Sequence, residues 1–162
     1  HSILEAVANE LAEDGIELIS SIDYVKDLLA KKGCLTKRKP SENETADIKF
    51  GWKIAKEVAG MEIGQCIVVK DRIVLAVEAI EGTNETIKRG GELGRGKVVV
   101  IKLSKKGQDP RFDVPTIGTE TVDYLKEAGV STLAIEAKKT LILDKEDTVK
   151  LADKNKISII AL

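Results

Sequence analysis

Residues 65–79 read QCIVVKDRIVLAVEA, in which two runs rich in Val and Ile flank a single polar pair, Asp71-Arg72. Branched aliphatic side chains fit a pleated, half-buried surface. A two-residue connection between two such runs leaves room only for a tight hairpin, with strands at 65–70 and 73–79.

Further along the chain, Thr83 is placed to cap a helix through Gly90, with Glu85 and Thr86 in its first turn. A glycine-rich bend then leads into a strand at 97–103. A long polar loop, 104–118, precedes a helix that Thr119 opens and Gly129 ends. Two β-rich runs, 132–136 and 140–143, surround Lys138-Lys139. Asp144 caps a last helix, and 157–162 closes the sheet. In the other direction, Asp47 is placed to cap a helix running to 58, with Ile48, Trp52, Ile54 and Ala55 toward the core and Gly60 as its stop. Residues 31–47, polar and containing Pro40, read as a linker. The apolar residues Ile3, Leu4, Val7, Ala8, Leu11 and Ala12 recur at three and four, the stripe of an amphipathic helix that Gly15 ends. Residues 16–19 then read as a short strand. Helices and strands intermix without strict alternation, so the fold class is α/β with a mixed sheet and helices packed on it. The expected division is 1–40, the end of a preceding domain and its linker, and 41–162, an α/β domain carrying the chemistry.

Composition narrows the function. The 26 Lys and Arg against 27 Asp and Glu leave a net charge of −1, which supplies no broad field for a polyanion and makes nucleic acid a poor partner. The basic group Lys31, Lys32, Lys37, Arg38 and Lys39 reads as a solvated segment, with phosphate binding as the alternative. The longest apolar run, Ile73–Val77, falls far short of the roughly twenty residues a membrane helix needs. Cys34 and Cys66 are too far apart for a CxxC motif and fit a reducing, cytoplasmic setting. The chain begins at His1 and its single Met is Met61, which reads as a start lying further upstream. With that single His at the first position, catalysis by Ser-His-Asp or Cys-His is excluded, and chemistry falls to carboxylates, amides, hydroxyls and Lys.

Two places carry candidate chemistry. Gly90, Gly91, Gly94 and Gly96 before Lys97 imitate a phosphate loop. A true one follows a strand and opens a helix, whereas these glycines follow a helix and precede a strand, so they read as a flexible connector. The loop 104–118 is richer: Asp109 and Asp113 offer hard oxygen ligands, Arg111 a forked phosphate clamp, and Gln108 and Thr116 neutral hydrogen bonds. Long loops without regular structure are often functional, and the alternative is a solvated turn. Glu78 interrupts a very apolar strand, which is costly without a cation, a metal or hydrogen-bond donors; Glu81 stands at the strand's end. Lys102 is a cation near the end of another apolar strand. A purely structural Glu78–Lys102 ion pair is the competing explanation.

Three stretches carry a family resemblance: Asp47-Ile48-Lys49-Phe50-Gly51; Gly64-Gln65-Cys66-Ile67-Val68-Val69, running on to Val77-Glu78-Ala79-Ile80-Glu81-Gly82-Thr83; and Gly107-Gln108-Asp109-Pro110-Arg111-Phe112-Asp113-Val114-Pro115-Thr116-Ile117-Gly118. In order and spacing they resemble the bacterial UDP-2,3-diacylglucosamine pyrophosphatases of lipid A biosynthesis, the family unrelated to the calcineurin-like enzymes. The similarity continues through Ile135-Glu136-Ala137 and Leu151-Ala152-Asp153. It implies an N-terminal Rossmann-like domain whose remnant opens this chain, and a cytoplasmic homodimer touching the inner membrane peripherally. The implied reaction is hydrolysis of UDP-2,3-diacylglucosamine, a lipid-linked nucleotide sugar, to UMP and 2,3-diacylglucosamine 1-phosphate (lipid X), with a divalent metal, Mg²⁺ or Mn²⁺. On the matching positions, Asp113, Asp109 and Glu81 are the catalytic candidates, with Asp113, Asp109 and Glu78 for the metal. Arg111, Lys102, Gln108, Thr83 and Thr116 are the substrate-binding candidates. The chain departs from the family at Asn84, where relatives place Asp, which puts a ligand role there in doubt. The competing reading is a binding or dimerisation domain, inactive without the N-terminal domain. A nucleotide-sugar transferase would instead require a second acceptor substrate.

Overall fold

The computed structural model describes residues 2–105, 109 and 111–162. Helix α1 (Ser2–Glu13) leads through two single-turn 3₁₀ segments to the short strand β1 (Gly33–Cys34). Then come α2 (Glu42–Gly60), β2 (Cys66–Lys70), β3 (Ile73–Val77), α3 (Thr83–Gly94) and β4 (Val98–Lys102). β5 (Thr116–Ile117), α4 (Thr119–Glu127), β6 (Val130–Ile135), β7 (Leu141–Ile142), α5 (Lys145–Lys154) and β8 (Ser158–Ala161) complete the chain. The main sheet has the order β1-β8-β6-β4-β2-β3, and β5 pairs with β7 in a separate parallel pair. β4, β6 and β8 are parallel, while β1, β2 and β3 pair antiparallel, so the sheet is mixed as the element pattern implies.

The hairpin forms where the sequence puts it, and its turn shows how. Asp71 and Arg72 have φ of 51° and 59°, the left-handed pair that a type I′ connection requires. Two non-glycine residues resist that conformation. Asp47, buried in the middle of α2, compensates by accepting the N–H of Asp71 at 3.1 Å and of Arg72 at 2.7 Å. Asp47 is therefore not the cap of α2. The helix begins earlier, at a capping box in which the Ser41 hydroxyl accepts from Glu44 N and the Glu44 carboxylate from Ser41 N.

Because parallel strands are covered on both faces, their side chains read as continuous apolar runs. Ile67, Val69, Val99 and Ile101 pack toward Ile48 and Ala55 of α2. Cys66, Val68, Val98, Val100, Leu133 and Ile159 pack on the other face with Ile87, Val122, Leu125 and Ala152 of α3, α4 and α5. Trp52 and Ile54 of α2 are only half-buried. Of the glycines that resemble a connector, Gly90, Gly91 and Gly94 lie instead inside α3, and Gly96 follows its end. A Cβ at Gly90 would sit 2.5 Å from Val68 Cβ, and one at Gly91 2.2 Å from Ala128 O. They are the small face on which the helix meets the sheet and α4.

Residues 16–19 form no strand: Ile16 and Ile19 are half exposed, and no neighbouring segment offers them a ladder. The apolar stripe of α1 is mostly exposed too, with Ala8 its buried member. Residues 29–38 are bonded to the body that follows. Ala30 N donates to Thr140 O, Lys138 N to Ala30 O, and β1 pairs with β8. Thr36 is buried, and its hydroxyl accepts from Ile159 N.

Two predictions follow from the packing. Gly→Ala inside a helix normally gains up to ~1 kcal/mol, but Gly90→Ala is expected to lose about 1–3 kcal/mol by overpacking against Val68, read as a lower urea midpoint. The second concerns Glu44. Burial disfavours its charge, yet bonds from Arg38, Ser131 and Ser41 prevail and lower its pKa from 4.5 to about 2. Its contribution to stability is present above the unfolded value of 4.5 and is lost as pH falls through about 2. Glu44→Gln is expected to flatten that part of the stability–pH curve, measured by urea unfolding at stepped pH.

Candidate active site

The antiparallel registers bring the ends of β3 and β4 to the same end of the sheet. Ile67 pairs with Val77 and Cys66 with Lys102, so Glu78, just past β3, and Lys102, the last residue of β4, flank the start of β2. Parallel pairing of Lys102 with Ile135 adds the end of β6. Carboxyl ends of parallel strands are where α/β proteins gather their sites.

Glu78 is 7% exposed. Its charge is met by donors rather than by a cation: Gln65 N gives to Oε2 at 3.1 Å and the Thr83 hydroxyl to Oε1 at 3.0 Å. The close approach depends on Gly64, where a Cβ would lie 2.0 Å from Glu78 O. No ion pair joins Glu78 to Lys102. Their strands are separated by β2, about 10 Å between axes. Both charges act on Cys66 between them: burial pushes its thiol up, Glu78 adds to this, and Lys102 opposes it. Thr83 is the first residue of α3, and Gly82 precedes it at the cap position. The Gln65 Oε1 atom is buried without a hydrogen-bond partner among the described residues.

The remaining candidates divide into engaged and unengaged groups. Glu81 is exposed, and its carboxylate accepts from Arg89 of α3 and from Ala79 N at 3.0 Å. Its own backbone N–H and then Arg89 lower its pKa. Asp109 is held by Arg111: Nε donates to Oδ2 at 2.9 Å and the terminal nitrogen to Oδ2 at 2.6 Å. That hydrogen bonding lowers the Asp109 pKa and raises that of Arg111, whose guanidinium also stacks on Phe112 at 5.1 Å. Lys102 Nζ donates to Thr116 O at 3.3 Å, and the Thr116 hydroxyl to Val114 O at 2.9 Å. Asp113 is exposed, and no side-chain hydrogen bond or ion pair engages its carboxylate among the described residues. Two residues separate it from Thr116, whose carbonyl Lys102 binds, so its Cα lies at most about 11 Å from that of Thr116. Gln108 lies outside the described residues.

Among the described residues, no three acidic, His or Cys side chains gather as a metal centre needs. Glu78 and Asp109, two of the three expected ligands, have their oxygens committed to Gln65, Thr83 and Arg111. This arrangement does not fit a preformed metal site.

Sequence reasoning passed over Glu136. It follows β6 directly, is 5% exposed, and accepts from Ser104 N at 2.7 Å while meeting Lys56 of α2 and Lys139. Burial raises its pKa, but bonds from Lys56 and Ser104 outweigh this and bring it to about 2. The signal that marks Glu78, a carboxylate closing an apolar run, is present here as well. The site thus combines one unengaged carboxylate with three lysines and several hydroxyls, a set suited to an anionic ligand.

UDP-2,3-diacylglucosamine pyrophosphatase LpxI of Caulobacter vibrioides is 32% identical over 160 residues, covering 94% of this chain and 57% of that protein. Bifunctional purine biosynthesis protein PurH of Bacillus subtilis is 31% identical over 130 residues, covering 77% of this chain and 22% of that protein. The chain therefore spans little more than half of the first relative and about a fifth of the second. The family described as the LpxI C-terminal domain matches residues 31–160, and the chain belongs to that family.

Proposed function

We propose that this chain supplies the catalytic groups for hydrolysing the phosphoanhydride of UDP-2,3-diacylglucosamine to UMP and 2,3-diacylglucosamine 1-phosphate, in concert with the rest of the protein. The observation that carries the reading is a contrast among the candidate carboxylates. Asp109, Glu78, Glu81 and Glu136 are all committed to internal donors, whereas Asp113 has no side-chain partner among the described residues. A carboxylate left free in a site without histidine is the natural base for water. Lys102, whose ammonium meets only the Thr116 carbonyl among the described residues, would take a phosphate oxygen. Arg111 joins it on exchanging Asp109 for the diphosphate, and Thr83 and Thr116 contribute hydroxyls. Glu81 and Asp109 serve here by holding Arg89 and Arg111 rather than by attacking the substrate.

The reaction's dependence on Mg²⁺ or Mn²⁺ rests on the family resemblance. Such an ion would neutralise charge on the diphosphate, and Mg²⁺ commonly takes only one or two carboxylates together with substrate phosphates and water. A second reading is a module that binds the lipid-linked nucleotide without turning it over.

In the full-length protein, Asp113→Ala is expected to cut UMP release by about 10²- to 10⁴-fold while substrate binding persists. Unchanged turnover would remove Asp113 from the mechanism. Chelation by EDTA is expected to stop UMP release, and added Mg²⁺ to restore it; activity indifferent to chelator contradicts the metal requirement. Substrate-induced thermal stabilisation with no UMP formed under any metal would establish the binding-module reading instead.

A further inference from the structure

We propose that Glu136 is a positioning residue of this site, fixing the point from which the segment bearing Asp109 and Asp113 departs and the direction in which Lys56 points. The inference deepens the hydrolase reading and rests on it.

The geometry begins with register. β4 and β6 are parallel with Lys102 opposite Ile135, so Leu103 comes level with Glu136, and Ser104, one residue further, lies within reach of the Glu136 carboxylate. One carboxylate oxygen, Oε2, accepts both the Ser104 N–H, at 2.7 Å, and the Ser104 hydroxyl. The other, Oε1, meets Lys56 Nζ, and Lys139 Nζ lies 3.4 Å away. Lys56 also stands over the Trp52 ring, 5.8 Å from its centroid. A single buried anion thus ties together three separate parts of the chain: α2, the exit of β4 and the turn after β6.

The far end of the segment is fixed independently. β5 pairs with β7, and Lys102 binds Thr116 O. Glu136 therefore sets the second of two anchor points between which Asp109 and Asp113 lie. The side chains of Lys56 and Lys139 are 44% and 58% exposed, so their ammonium groups stay open to an anionic ligand while the shared carboxylate limits their swing. Gln at position 136 has one acceptor oxygen and turns an amide N–H₂ against either Ser104 or Lys56. The Ser104 N–H and the Lys56 ammonium can only donate, so one of those two bonds must break.

The test is Glu136→Gln and the milder Ser104→Ala in the full-length protein. It follows kcat and KM for UMP release, hydrogen exchange of the amides of residues 111–117, and thermal melting. A misplacement of the reacting group by about 1 Å costs on the order of 10²-fold. Glu136→Gln should therefore lose about that in kcat with a much smaller change in KM, and Ser104→Ala should show a smaller loss in the same direction. Exchange at 111–117 should quicken in both. If Glu136→Gln does not fold, Ser104→Ala decides alone. Folded variants with wild-type kcat and wild-type exchange overturn the proposal. So does a kcat loss that matches the loss of folded protein. If the wild-type protein releases no UMP, the hydrolase reading fails separately. The exchange comparison still tests the anchor, because it needs no turnover.

Discussion

The Asp47 carboxylate, reaching from one layer of the molecule to the N–H groups of Asp71 and Arg72, is the contact on which the arrangement of the sheet turns. A two-residue connection of non-glycine residues in left-handed backbone is strained unless something binds its amides. With the turn held, the register of β2 against β3 is set, and a slip by one residue would exchange its core and outer faces. That register brings Gln65 N onto the Glu78 carboxylate, and the β2–β4 register places Cys66 beside Lys102. The chemistry at one end of the sheet is therefore specified partly by an anion at the other.

The two charge-bearing strand ends illustrate a common solution to burying a carboxylate. Glu78 is satisfied by a backbone N–H and a hydroxyl, and Glu136 by a backbone N–H, a hydroxyl and lysine. In each, hydrogen-bond donors replace the lost water, which costs less than an unpaired ion in the interior. Both also stitch one strand end to the next segment of chain. Lys102 lies between them on β4, and the anionic and cationic groups alternate across the strand ends without neutralising one another.

How far the sequence led depends on the range of each interaction. The hairpin was legible because its signals, alternating aliphatic runs and a two-residue gap, are local. So were α4, α5 and the strands β4, β6 and β8, and hence the mixed α/β class. The start of α2 was misread although Ser41-Glu42-Asn43-Glu44 spells a capping box, since Pro40 drew the segment into a linker. Asp47 misled for the opposite reason: its partners are 24 and 25 residues away, a contact no local rule predicts. The α3 glycines read as a connector because they stand between a helix and a strand, whereas close packing on the sheet and α4 keeps Gly91 and Gly94 helical. In the site, the loop and both strand-end acids Glu78 and Glu81 were visible as anomalies of composition. Their division into committed and free carboxylates depends on Arg89, Arg111 and Gln65, and only folding supplies those partners.

The outermost strands of the sheet have a separate significance. β1 touches β8 through only two residue pairs, and β3 meets β2 across an irregularity between Val68 and Val69. Neither rim presents the long, flat, evenly spaced row of amides that templates an added strand. Fibrillar growth by strand recruitment is thereby discouraged at both margins, even though the interior runs of Val and Ile are, taken as peptides, the kind of sequence that forms cross-β stacks.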